Sequence, residues 1–132
     1  MRQLVILAFL LTTTGPALSA DWRLISAGKG VQIYLDLQSI APNGPYWKAW
    51  FRWEYAVPRS ITERSARSSK ELAVFNCQER TTANAQIVFY EEPVAHGPIV
   101  YSDSAELGRL QFSKVKPETI GEAMLTAACR FQ

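Results

Sequence analysis

Apolar and polar residues alternate along most of this chain with a period of two, and only its last segment switches to a helical spacing. Val31, Ile33, Leu35 and Leu37 alternate with Gln32, Tyr34, Asp36 and Gln38, the pattern of a strand with one buried face. Asn43-Gly44-Pro45 interrupts with turn chemistry. The run 46–57 carries the strongest alternation: Trp47, Ala49, Phe51, Trp53, Tyr55 and Val57 fall on one face, and Tyr46, Lys48, Trp50, Arg52 and Glu54 on the other. The first face is expected to pack on the core, and the two strands to pair as a hairpin. Pro58 is expected to end the second strand, with 59–69 an exposed loop or a frayed strand extension. Further strands are predicted at 72–77, with Ala73, Phe75 and Cys77 on one side, and at 86–91; 93–98 is a turn. A short edge strand at 99–102 and a last strand at 110–115 complete the set.

After Pro117 the pattern becomes helical. Thr119-Ile120-Gly121-Glu122 matches a capping box, with the Thr119 hydroxyl on the N3 amide and Glu122 reaching back to the Thr119 amide. Ile120, Ala123, Met124 and Ala127 then form an apolar stripe. A helix of nine or ten residues needs a surface to dock on. Cys129 points away from that stripe in an ideal helix. The helix is therefore expected to end or tighten before Cys129, or to be buried on more than one side. Antiparallel strands followed by a terminal helix define an α+β fold in which the helix covers one sheet face. The other face is left wet, covered by loops or turned to a partner.

The N-terminus changes the setting. Arg2, the apolar run 4–11 and the small-residue exit 12–20 read as a secretory signal peptide, 1–20, with cleavage expected after Ala20 and a site one residue earlier as its alternative. That run is shorter than the ~20 residues a spanning helix needs, and no later stretch approaches that length. A soluble mature domain, 21–132, is expected, periplasmic or secreted, with no lipobox cysteine and hence no lipid anchor. Loss of Arg2 lowers the formal charge from +2 by one, and so near-neutral a surface argues against nucleic acid.

Export makes a Cys77–Cys129 disulfide the expected fate of the two cysteines. Closing that loop is worth roughly 4 kcal/mol in the chain-entropy model. Neither a Cys-x-x-Cys pair nor a metal-ligand spacing occurs, and no cofactor, metal or catalytic site is expected. His96, alone in a turn, and the carboxylates Asp36, Glu91 and Glu92 lack the companions that chemistry needs. Arg59, Arg64, Arg67 and Lys70 read as a solvated basic segment. Trp50 is the exception among the aromatics, because it shares its face with Lys48 and Arg52. These three are the candidate partner-contact residues, the alternative being that the two faces are reversed and Trp50 packs under the helix.

Several short elements occur in a telling order: Trp22, Val31-Gln32-Ile33-Tyr34-Leu35-Asp36 with Ser39-Ile40, Lys48-Ala49-Trp50, Phe75-Asn76-Cys77, and Lys116-Pro117-Glu118-Thr119-Ile120-Gly121-Glu122 leading to Cys129. With them the mature chain resembles the surface-adhesin E-like family of exported bacterial proteins. The resemblance implies a bent antiparallel sheet of about six strands with the C-terminal helix disulfide-tethered to its concave side. It also implies a non-enzymatic module that binds host extracellular-matrix or serum proteins, often as a homodimer. With no lipid anchor expected, the alternative role is a soluble periplasmic domain that binds an envelope protein, or a small apolar or amphipathic ligand between sheet and helix.

Overall fold

The structure, a computed structural model, describes residues 19–131. The expected signal peptide lies outside the described residues except for Ser19 and Ala20.

One antiparallel sheet is built from β1 (Trp22–Gly28), β2 (Val31–Asp36), β3 (Ala41–Asn43), β4 (Tyr46–Ile61), β5 (Arg64–Asn76), β6 (Thr81–Glu92), β7 (His96–Ser104) and β8 (Ser113–Lys114), followed by α1 (Ile120–Arg130). Six strands run in the order β1-β2-β4-β5-β6-β7, while β3 pairs with β4 and β8 with β6. The sheet thus has eight strands rather than about six. The strand expected at 110–115 shrinks to the two residues of β8, and of the two strands beyond the six expected, β3 has three residues, too few to show an alternation. The other is β1, whose period is broken by a bulge between Leu24 and Ser26.

The largest difference concerns residues 59–69. Pro58 does not end the strand: β4 runs through it to Ile61 and turns at Thr62-Glu63 into β5, with Ile61 opposite Arg64 and Arg59 opposite Ala66. Pro58 is tolerated because the β4–β5 register breaks between Glu54 and Arg59, where no ladder amide is required of it. The same break leaves Val57, assigned to the core face by parity, 77 % exposed. Thr62 and Glu63 both have positive φ, 48° and 65°, as a two-residue hairpin turn of right-handed twist demands.

The parity of the central strands holds. Ile33, Leu35, Ala49, Phe51, Ala73 and Phe75 form one buried face, onto which Met124, Leu125 and Ala128 of the helix pack. Phe51 and Phe75 meet edge to face with ring centres 5.8 Å apart. The helix is rotated relative to the stripe read from sequence. Ile120 is 38 % exposed, and the buried row is Met124, Leu125 and Ala128. This rotation removes the difficulty with Cys129. It sits one turn beyond Leu125 at the edge of the docking face, inside a helix that runs on to Arg130, and is bonded to Cys77 after β5. The helix therefore neither ends nor tightens early.

Thr119 caps the helix by accepting from the Glu122 amide at 3.3 Å. Glu122 reaches back to the amide of Glu118, not Thr119, at 3.3 Å, and its other oxygen accepts from Arg80 at 3.2 Å. The capping box thus also ties the helix start to the β5–β6 connection.

Candidate functional site

The sheet face opposite the helix is closed at both ends and open in its middle. At one end the segment 105–112 leaves β7 beyond β6 and returns over the sheet to β4. Phe112 packs on Tyr46 with ring centres 4.6 Å apart, and Leu107 lies against Gly44. Val74 and Ala83, on this same face, are buried there. At the other end the β6–β7 turn folds inward. The Val94 amide donates to Glu54 at 2.8 Å, and the Ala95 amide to the Ser68 hydroxyl at 2.9 Å.

Between these covers lies a window of alternating rings and cations. The Arg52 guanidinium lies 5.0 Å from the Trp22 ring centre and 4.5 Å from that of Tyr34. The Lys70 ammonium lies 5.9 Å from Trp22 and 4.9 Å from Trp50. Three strands contribute through register: Tyr34, Arg52 and Lys70 are successive cross-strand partners on β2, β4 and β5, and Trp22 enters from β1. Each cation faces a ring quadrupole, an attraction of about 0.5–1 kcal/mol where solvent reaches it and more where it does not.

The structure brings Lys48, Trp50 and Arg52 onto this face together, all of them half-buried. Arg52 presents little free charge. Its side chain is only 12 % exposed and it pairs with Glu54 at 3.4 Å. Its part is to order the rings around it, whereas Trp50 and Lys70 border the opening. Trp22, Tyr34 and Lys70 were missed as members of the site. Tyr34 shares a parity with Asp36, which marks its face, whereas Lys70 reads from sequence as part of a solvated basic segment and Trp22 falls in no expected strand.

The helix-covered face holds a second polar feature, beyond the helix. Trp53 and Tyr55 of β4, Ser69 and Glu71 of β5, and Asn84 and Ile87 of β6 line a cavity of about 220 Å³ together with Arg59. The Tyr55 and Ser69 hydroxyls share a 2.7 Å hydrogen bond. Glu71, only 7 % exposed between Phe51 and Ile87, has its pKa pushed up to about 7 by desolvation. The Trp53 indole N–H is close enough to favour the carboxylate slightly but makes no hydrogen bond of good geometry. No alternation rule marks Glu71; it is a charged residue at a core-facing position.

The remaining sequence candidates are dispersed. His96 is exposed at the start of β7 opposite Glu92. Asp36 caps the turn after β2, accepting from the amides of Asp21 and Gln38 at 2.9 and 3.0 Å. Arg64 pairs with Glu91 at 3.6 Å, and Arg59 lies over Tyr55 at 5.6 Å. Core side chains pack between the sheet and the buried row of the helix, and a groove of about 910 Å³ runs between β1 and the helix, lined by Leu24, Ile25, Leu37, Ala123, Ala127 and Phe131 among others. Among the described residues, no helix is long and apolar enough to cross a membrane.

A sheet closed on one face by a disulfide-tethered helix, with a framed aromatic and cationic window on the other, has the build of a module that presents a surface. A family model for surface-adhesin protein E matches residues 22–130, and the chain belongs to that family. The fold is similar to that of Haemophilus influenzae protein E. One crystal form of that protein aligns with a TM-score of 0.56 at 15% identity, covering 80% of this chain and 91% of that one. Protein E from a non-typeable strain aligns with a TM-score of 0.52 at 18% identity, over 88% and 80% of the two chains. At such identities the likeness concerns the fold. No curated protein matches the chain.

Proposed function

We propose that this chain is a non-enzymatic binding module, acting at the periplasm or cell surface, that engages a protein partner through the window formed by Trp50, Lys48, Arg52, Lys70, Trp22 and Tyr34. The partner is a host extracellular-matrix protein or a protein of the cell envelope. The observation that carries this reading is the alternation of rings and cations between the two covers of the sheet face opposite the helix. Trp, Tyr and Arg held rigidly by their neighbours are the residues from which binding hot spots are built, because little side-chain entropy remains to be lost on contact. An acidic, partly apolar partner surface complements such a window.

The experiment is a solid-phase binding assay of the mature domain against immobilised matrix proteins, paired with capture from envelope extract. Saturable binding is expected in one arm. Trp50→Ala, assayed at a temperature where the variant is still folded, is expected to weaken it about tenfold or more. Binding no better than that of a non-binding control in both arms, or binding indifferent to Trp50→Ala and Lys70→Ala, removes the reading.

A further inference from the structure

We propose that the cavity between Trp53, Tyr55 and Glu71 is a binding site for a primary alkylammonium group. It lies on the opposite face of the sheet from the window and does not depend on it. Three observations carry the inference. Glu71 is a buried carboxylate without a cation: the ion pairs among the described residues engage Asp21, Glu54, Glu91 and Glu122 instead. A buried charge left without a partner is costly. The second observation is a void of about 220 Å³ at that carboxylate, room for several waters and hence for a short alkyl chain with its ammonium head. The third is the wall. Trp53 and Tyr55 line the cavity beside Glu71, and ring faces together with a carboxylate are the combination that recognises organic cations. The buried Trp53 indole N–H has no hydrogen-bond partner of its own, so it reports directly on whatever enters.

The charged and titratable groups around the cavity are Glu71, Tyr55 and Arg59. Arg59 sits over the Tyr55 ring at 5.6 Å and opposes an incoming cation. The two charged neighbours therefore predict opposite effects. Loss of Glu71 weakens binding, and loss of Arg59 strengthens it.

The test is titration of the full chain with n-butylammonium, read by NMR at the Trp53 indole N–H, which is assigned by Trp53→Phe. A saturable shift is expected at pH about 8 and a weaker one at pH about 6, where Glu71 is largely neutral. Glu71→Gln should reduce affinity about tenfold, Arg59→Ala should raise it, and n-butanol should produce no shift. Circular dichroism verifies that Glu71→Gln folds; should it not, the gain in Arg59→Ala decides alone. In a second arm, Nα-acetyl-lysine methylamide distinguishes the source. Binding comparable to butylammonium means that a partner's lysine is admitted, and binding of butylammonium alone restricts the site to free amines. No shift with either amine, an equal shift with butanol, or affinity unchanged in Arg59→Ala overturns the proposal.

Discussion

Arg52 and Lys70 stand directly opposite each other across the β4–β5 ladder, two cations in register on one sheet face. Like charges in that relation repel, and the structure separates them with rings, Trp22 lying within 5.0 Å of one and 5.9 Å of the other. Trp22→Ala removes the ring they share. It should cost about 2 kcal/mol through lost packing and cation–π contact. Part of that loss should return at high salt, where the repulsion is screened. Urea denaturation of both proteins at low and high ionic strength checks this; equal losses at the two salts would mean that repulsion plays no part.

The rotated helix gives a sharp contrast between neighbours in sequence. Leu125 is 1 % exposed against Phe51 and Phe75 in the core cluster, and Ile120 is 38 % exposed. Leu125→Ala should destabilise by about 2–4 kcal/mol and Ile120→Ala by less than about 1 kcal/mol. Chemical denaturation of the two variants measures the difference. The reverse ranking would restore the stripe centred on Ile120.

The β4–β5 turn is built from residues ill suited to it. Thr62 and Glu63 adopt positive φ, which costs a side-chain-bearing residue roughly 1 kcal/mol, most at a β-branched one. Replacing the pair by Asn-Gly should stabilise the domain by about 1 kcal/mol. A rise in melting temperature reports it.

Glu71 makes stability depend on pH in a definite direction. Its pKa rises from 4.5 in the unfolded chain to about 7 in the fold, so the folded state holds the proton more tightly. Stability from this group is fully present below about pH 4.5 and is lost as pH rises through about 7. Glu71→Gln should flatten that slope and stabilise the protein at pH 8 by up to roughly 3 kcal/mol. Denaturation midpoints from pH 4 to 9 for both proteins decide it, and parallel curves would contradict the assignment.

Period-two alternation carried the central strands. Val31 to Leu35 and Ala49 to Phe51 face the core as their parity requires, and Cys77 and Cys129 pair as export led one to expect. What stayed hidden shares a cause. β1 and the far end of β4 contain bulges, and one inserted residue reverses parity for everything beyond it. The Thr62-Glu63 turn lacks the glycine or asparagine that announces a hairpin, so the first half of β5 reads as a loop or a frayed strand extension and Lys70 as the end of a solvated basic segment. Of the window, Lys48, Trp50 and Arg52 were legible because they alternate within one unbroken run. Trp22, Tyr34 and Lys70 join them only through register between strands, which no single segment encodes. Glu71 was illegible for another reason: its meaning lies in burial, not in any motif.

The Cys77–Cys129 bond joins a residue at the middle of the chain to one that follows all eight strands. Because ribosomes make the chain from its first residue onward, Cys77 must wait as a lone thiol until every β-segment has been produced. Oxidation thus acts as a timestamp, sealing only molecules whose terminal helix has already arrived.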